Sequence, residues 1–545
     1  MSDSGAFTPK LITAFREGYR WHSVRADLVA GLTVAIVALP LAMALGIASG
    51  VSPREGLVTA VIGGVLISAL GGSRVQIGGP TGAFVVIVAG VIALHGFDGL
   101  LLAMLMAGAI LIIAGYSGLG RLMRFVPMPV VTGFTAGIAV IIASSQIGDF
   151  IGLSAGPVPA DFVDKWGVYL GALNTANWAA VWLGLATLAL IILLRRHVPR
   201  LPAYLIALVA SAAAVALLDL PVETVGGRFP SMPTGLPTPH LPQASLELAR
   251  ELLPSAFVIA FLAGIEALLS ATVADGMTGR RHRSGQELVG MGVANMASAA
   301  IGGLPATGAI ARTATNIRAG GQTPMAGIFH AMFLLIFMFA AGDLLATVPM
   351  TALAAVLLMV AWGMSEADRF VAMARIDRGE SAILILTFLL TIFVDLAVAI
   401  GVGVTLAALF FMRRMSETAG LVAVDVAEEP DLRDALPEGV EVFRFTGPMF
   451  FGVASEMLEA LRRSGQKPRA IIVRMEQVPY IDATGVNALT TFVRQARNSG
   501  TDVWLCGLQR EPREFLSRAD PKFAGARHVA KWARALSTLK KVSAQ

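Results

Sequence analysis

Apolar positions along this chain gather into long blocks that carry almost no charge, such as Ala26 to Gly50, Leu100 to Gly115 and Ala382 to Met412. A helix needs roughly 20 apolar residues to cross a bilayer. The first two blocks are near that length, and the last is long enough for two helices with a turn at Asp395. The pattern predicts membrane-spanning segments at 26–49, 56–71, 75–94, 99–116, 128–152, 177–194, 202–219, 252–275, 286–301, 305–319, 325–342, 351–364, 380–394 and 396–412. From Ser416 onward the pattern changes, with frequent charges and short apolar runs. There VEVFRF (Val440 to Phe445), AIIVRM (Ala470 to Met475) and TDVWLCG (Thr501 to Gly507) predict strands. MFFGVASEMLEALRRSG and ATGVNALTTFVRQARNSG predict amphipathic helices. Alternating strands and helices predict an α/β domain. The expected division is an N-terminal segment 1–25, a transmembrane domain 26–415, a linker 416–437 and a soluble domain 438–542.

Composition agrees with the pattern. Of 545 residues, 55% are hydrophobic and 14% charged, too few charges for a soluble chain of this size. Lys and Arg give the orientation, because cytoplasmic loops hold the excess. One side collects Lys10, Arg16, Arg20, Arg25, Arg74, Arg121, Arg124, Arg195, Arg196, Arg200, Arg280, Arg281, Arg283, Arg318, Arg369, Arg375, Arg378, Arg413 and Arg414. The other has Arg54, Lys165, Arg228 and Arg250. Both termini and the soluble domain are therefore expected in the cytoplasm, and the net charge of +5 reads as basic loops rather than a nucleic-acid surface. The lone Cys506 excludes an intramolecular disulfide and a cysteine metal cage. No removable signal peptide is expected, and no HExxH, Walker or GxSxG pattern points to an enzyme or a cofactor.

Two turn-like phrases lie inside the apolar blocks. GGPTGAF (Gly78 to Phe84) returns 226 residues later as LPATGAI (Leu304 to Ile310). Gly56-Leu57-Val58 echoes Glu287-Leu288-Val289, and Val126-Pro127-Met128 echoes Val348-Pro349-Met350. Seven predicted segments separate each element from its copy, so the second half enters the membrane from the opposite side, as an inverted repeat does. Non-helical backbone at membrane depth must be covered by protein or line a cavity. The phrases therefore predict two short extended pieces, Ser73 to Gly79 and Gly302 to Ala306. Half-helices are expected to start near Thr81 and Thr307, each capped by its threonine. Two helix N-termini facing each other form an anion site.

Charges inside the segments are few, and each is a functional candidate by default. Glu266 lies mid-segment and Arg312 a little over one turn into the second half-helix. On the functional reading Arg312 meets an oxyanion and Glu266 carries a coupling ion. On the other reading the two form a structural pair that locks two helices. Asp149 and Asp395 are expected at interfaces; Gln146 is a weaker candidate.

Together these residues resemble the sulfate permease (SulP) family of anion transporters, the bacterial relatives of the mammalian solute carrier 26 proteins. The resemblance covers nearly the whole chain. It rests on Ala38-Leu39-Pro40-Leu41-Ala42-Met43-Ala44, the paired Pro-Thr-Gly-Ala and Pro-Ala-Thr-Gly-Ala phrases, Arg312-Thr313-Ala314-Thr315-Asn316 and a C-terminal STAS-like domain. It implies a polytopic α-helical membrane protein with fourteen transmembrane segments in a seven-plus-seven inverted repeat, divided into core and gate domains, and a cytoplasmic α/β STAS domain. It further implies elevator-like alternating access, a homodimer in the bacterial cytoplasmic membrane, and a substrate site between spans one, three, eight and ten. By position, Pro40, Thr81, Gly82, Ala83, Thr307, Gly308, Ala309 and Arg312 would surround the anion, and Glu266 would take a proton or sodium ion. Sodium-coupled bicarbonate members tend to have a small residue where Arg312 stands, which favours a proton. Leu41 replaces a Gln of many members, and the less polar wall suits an organic dicarboxylate as well as sulfate; bicarbonate is a further oxyanion the two helix ends could take. A passive anion channel or motor-like member, and a membrane sensor, are the competing classes. In Tyr480 to Gly485, Thr484 matches the phosphorylated hydroxyl of soluble STAS proteins. Asp482 and Thr484 read either as a regulatory site or as a helix cap, and capping alone explains them.

Overall fold

The computed structural model describes residues 7–118, 127–156, 158–159, 161–198, 201–229, 239, 242, 245–340, 342–418, 420–423, 436–449, 468–519, 526–530, 534–535 and 537–539. Arg121, Arg124, Arg200 and most of the linker and of the helix expected at MFFGVASEMLEALRRSG lie outside the described residues. By packing, the chain divides into Met1–Val404 and Thr405–Gln545.

In chain order, and leaving aside the short helices Phe162–Gly171, Val225–Arg228, Gly342–Ala346 and Ala367–Met373, the helices are α1 (Lys10–Arg16), α2 (Trp21–Ala48), α3 (Pro53–Leu70), α4 (Val85–Tyr116), α5 (Met128–Ile151), α6 (Trp178–His197) and α7 (Ala203–Leu218). There follow α8 (Leu246–Thr278), α9 (Ser284–Ala300), α10 (Ile310–Arg318), α11 (Met325–Ala340), α12 (Met350–Ser365), α13 (Arg378–Phe393) and α14 (Leu396–Thr418). Two tiny strands, β1 (Gly78–Gly79) and β2 (Thr307–Gly308), interrupt them. Among the described residues eight helices are long and apolar enough to cross a membrane, and α7 and α11 are shorter apolar helices. The expected segments 75–94 and 99–116 run on as α4, with a break at Gly96, whose φ of 69° leaves the helical region. The expected turn at Asp395 is present: its carboxylate accepts the N–H of Ala397 at 2.7 Å and begins α14.

Two packing groups make up this part. In one, α2, α3, α4, α8, α9, α10 and α11 pack on each other; in the other, α5, α6, α12 and α13 do, with α7 against α6 and α12. Glycine allows the closest approaches inside the first group: a Cβ on Gly56 would lie 2.0 Å from the Ala42 carbonyl oxygen.

The second part is a five-stranded sheet. Its strands are β3 (Gly420–Ala423), β4 (Val440–Thr446), β5 (Ala470–Gln477), β6 (Asp502–Cys506) and β7 (Arg527–Val529), in that spatial order. The β3–β4 pair is antiparallel and the others parallel. Strand alternation splits its apolar residues between the two faces. Phe443, Phe445, Ile471 and Val473 pack with Leu489, Phe492 and Val493 of α15 (Ala483–Asn498). Val442, Ile472 and Trp504 pack with Ala535 and Leu539. A further helix, α16 (Arg510–Ala519), buries Leu516 in the first cluster.

Candidate functional site

The repeated phrases meet. β1 and β2 pair antiparallel, Gly78 opposite Gly308 and Gly79 opposite Thr307. The chain on either side of this ribbon is extended, and its backbone groups need partners because lipid offers none. Side chains of neighbouring helices supply them. On the first piece, Glu287 Oε2 accepts the N–H groups of Gly72 and Ser73 at 2.7 and 2.8 Å. Asn316 Nδ2 donates to the Val75 carbonyl at 2.8 Å, and the Ile77 N–H donates to Thr313 Oγ1 at 3.1 Å. On the second piece, Asn295 bonds both backbone groups of Ala306, at 2.9 and 2.8 Å, as a neighbouring strand would. Thr59 Oγ1 accepts the Leu304 N–H at 2.6 Å, and Ser298 donates to the Leu304 carbonyl at 2.7 Å.

Each threonine starts the end of a helix, in a different way. After Thr81 a single 3-10 turn, Gly82–Phe84, leads into α4. After Thr307 the strand intervenes, and α10 begins at Ile310, three residues later than the phrase alone suggested. Neither hydroxyl caps its helix. Both donate instead to α8: Thr81 Oγ1 to Glu266 Oε2 at 2.8 Å, and Thr307 Oγ1 to the Ala263 carbonyl at 2.8 Å. A hydroxyl oxygen can donate and accept at once, but these two, turned toward α8, accept no N–H of their own helices. The N–H groups at both helix ends therefore remain without a side-chain cap, which suits an incoming anion.

Thr81, Glu266 and Ala309 are partly exposed, and Ile310 and Ala311 are exposed. Gly82 and Ala83 are buried. Gly82 faces the other packing group, where a Cβ would lie 2.5 Å from Met364 Sδ of α12 and 3.2 Å from Ile142 Cδ1 of α5. Gly308 lies beneath Gln76, whose Nε2 is 1.7 Å from where its Cβ would stand. Pro40 is buried within α2 and lines an apolar cleft toward α7.

Arg312 is 4% exposed and lies behind the ribbon. Its Nη2 donates to the Pro80 carbonyl at 3.2 Å, and Nη1 has no partner. It is packed against Gly79, where a Cβ would come within 2.4 Å of Nη1 and where φ is 152°. The geometry contains no ion pair between Arg312 and Glu266: Glu266 is held by Thr81, Arg312 by a carbonyl. Other buried polar groups that sequence reading passed over are Glu287, Asn295, Asp27 and His330. Asp27 Oδ1 accepts the Gln322 and Thr323 N–H groups at 2.7 and 3.1 Å, holding the entry to α11. Asn295 and His330 could have been found as polar residues one to three turns inside an apolar segment, whereas Asp27 and Glu287 stand at segment edges, where local pattern gives no signal.

In the second part Asp482 Oδ1 accepts the Gly485 N–H at 2.7 Å, capping α15, and Thr484 is exposed beside it. Cys506 is buried at the end of β6, and burial pushes its thiol up to about 12. Among the described residues no three His, Cys, Asp or Glu side chains gather as a metal site.

A family model described as the sulfate permease family matches residues 24–387, and a STAS domain model matches 435–523. The chain is 39% identical over 504 residues to the putative sulfate transporter YvdB of Bacillus subtilis, covering 92% of this chain and 95% of that one. It is 31% identical over 520 residues to the bicarbonate transporter BicA of Picosynechococcus, covering 91% of each. Its fold matches murine solute carrier 26 family member A9 with a TM-score of 0.84 at 16% identity, over 95% of this chain and 91% of that one. A ribbon of two repeated phrases inside a helical membrane domain, followed by a STAS domain, thus agrees with the comparisons: the chain belongs to the sulfate permease family of anion transporters, and is a transporter rather than an enzyme.

Proposed function

We propose that this chain is a secondary active anion transporter that binds its anion between the helix ends at Thr81 and Ile310 and couples transport to a proton at Glu266. The observation that carries the reading is the Thr81–Glu266 hydrogen bond. It ties an anion-facing helix end to the one carboxylate seen at that depth of α8, so occupancy of either site is felt by the other. An ionised carboxylate at the bilayer centre costs about 2.5–3.5 kcal/mol. One hydroxyl donor offsets part of that, and a proton or cation would remove the rest. Arg312 acts from behind the ribbon: a fixed positive charge in a dry site favours the anion without touching it. Gly82, Ala83, Thr307, Gly308 and Ala309 supply backbone, and Pro40 shapes α2.

Alternating access would come from movement of the α2-to-α11 group against the α5–α12–α13 group, with the anion site at their boundary. Both termini in the cytoplasm of a bacterium, a homodimer, and domain limits at 26–415 and 438–542 complete the reading. The substrate class is sulfate, bicarbonate or a C4-dicarboxylate. Sodium-coupled bicarbonate transport is the second reading, supported by the 31% identity to a relative named as a bicarbonate transporter. Uptake of each anion into proteoliposomes, with a proton gradient, a sodium gradient or neither, tests both. Uptake driven by protons is expected; indifference to both gradients would leave a passive channel.

A further inference from the structure

A cleft of about 500 Å³ lies between α2 and α7, closed at one end by the chain after α11. Met43 and Pro40 line it from α2, Leu208 and Ala212 from α7, and Phe337 from α11; Thr347 is its one polar residue type. Its position follows from Pro40. A proline inside a helix lacks the N–H that would bond the carbonyl four residues back, here Ile36, and its ring pushes the preceding turn aside. Ile36 and Pro40 both line the cleft, and on α7 the C-terminal half of the lining is alanine, Ala212, Ala213 and Ala216, after Leu205, Leu208 and Val209. Small residues facing a distorted turn leave space that neither helix fills.

The cleft is continuous with the surface that meets the bilayer. Val209 and Leu344 line it and are 53% and 62% exposed, and beyond them α7 carries Leu217 at 83% and α11 carries Phe339 at 52%. No charged side chain lines it, so it offers nothing to a headgroup or to a small anion. Water is excluded as a filling, because a water molecule needs two to four polar partners. Apolar surface continuous with lipid tails is filled by lipid tails.

We propose that the cleft binds one acyl chain of a bilayer lipid, wedged between the two packing groups of the transmembrane part. The site is separate from the anion pocket and stands whether or not transport is coupled.

The full-length protein, reconstituted in phosphatidylcholine vesicles with a diazirine at mid-chain of the phosphatidylcholine, is irradiated and its peptides mapped. Label is expected on the partly exposed lining residues Ile36 and Phe337 at or above the level on Leu217. Ala212→Trp fills the cleft and is expected to cut labelling of Ile36 and Phe337 about fivefold, equal to about 1 kcal/mol, with Leu217 labelling unchanged. Ala213→Leu, a smaller filling that keeps the fold if the tryptophan does not, is expected to lower the same labels about twofold. Cleft labelling below that of Leu217, or labelling that neither variant reduces in protein of wild-type melting temperature, overturns the proposal.

Discussion

Removing the Thr81 hydroxyl isolates the bond on which the proposed coupling rests. Thr81→Val keeps the shape of the side chain and deletes the donor to Glu266 Oε2, which stands at 2.8 Å. A hydrogen bond to a charged acceptor is worth about 1.5–3 kcal/mol net, and one to a neutral acceptor about 0.5–1.5. If the bond sets the position of the helix end that holds the anion, its loss weakens binding by up to about tenfold to a hundredfold. With Glu266→Gln already in place the acceptor is neutral, and the same change weakens binding by at most about tenfold. Thr81→Ser keeps a hydroxyl and should bind nearly as the wild type does. Anion Kd measured by calorimetry on reconstituted wild type, both single variants, the double variant and Thr81→Ser gives all five values, with melting temperatures as a check on folding. A Kd for Thr81→Val within about twofold of wild type, in folded protein, would refute the claim that this bond couples the two sites.

Other substitutions reach the remaining parts. Glu266→Gln should abolish dependence on the driving ion while sparing some anion binding, and full gradient-driven uptake in this variant would end the coupling role. Arg312→Ala should weaken the anion Kd severely, and Gly79→Ala should do the same in part, because its Cβ would displace Nη1 of Arg312 and overpack the ribbon by about 1–3 kcal/mol; an unchanged Kd in both would make the arginine structural. In the soluble part, Asp482→Ala should lower stability by about 1 kcal/mol through loss of the cap on α15, whereas Thr484→Ala, whose side chain is exposed, should leave it within about 0.5. Cys506, buried and with its thiol raised to about 12, should resist iodoacetamide at pH 8 in the native protein and react only after denaturation; rapid native labelling would show that β6 opens.

Much of this was legible in the sequence, and the reason is physical. A bilayer enforces long apolar runs, so the spans stand out whatever the packing, and the turn chemistry of GGPTGAF and LPATGAI stands out against them. The strands of the soluble domain are legible for a similar reason: Val440, Ala470 and Asp502 begin strands within a residue of where alternation predicts them. What local pattern does not contain is the partner of a polar group. Nothing within a few residues of Thr81 or Thr307 says that its hydroxyl belongs to α8 rather than to its own helix. Nothing near Glu287 or Asn295 says that it completes the backbone of a strand 215 or 11 residues away.

The same distinction explains how two nearly identical phrases come to differ. Both supply a glycine for the ribbon, a threonine for α8 and a helix end for the anion. The difference lies in what α8 offers each threonine. Thr307 meets a main-chain carbonyl, which keeps its charge state at every pH and in every ionic mixture. Thr81 meets a carboxylate, which does not. A change of protonation or of bound cation at Glu266 therefore acts on the first helix end and leaves the second fixed. On the second side the fixed element is charged: Arg312 follows Ile310 on α10, while Val85 and Val86 occupy the corresponding region of the first half. One half of the repeat holds a constant positive field and the other a hydrogen bond that can be switched. An inverted repeat with both halves alike would bind an anion but would have no asymmetric contact through which a driving ion could act. On the proposed reading, the departure from symmetry at Glu266 and Arg312 is thus the part of the site through which a driving ion would act.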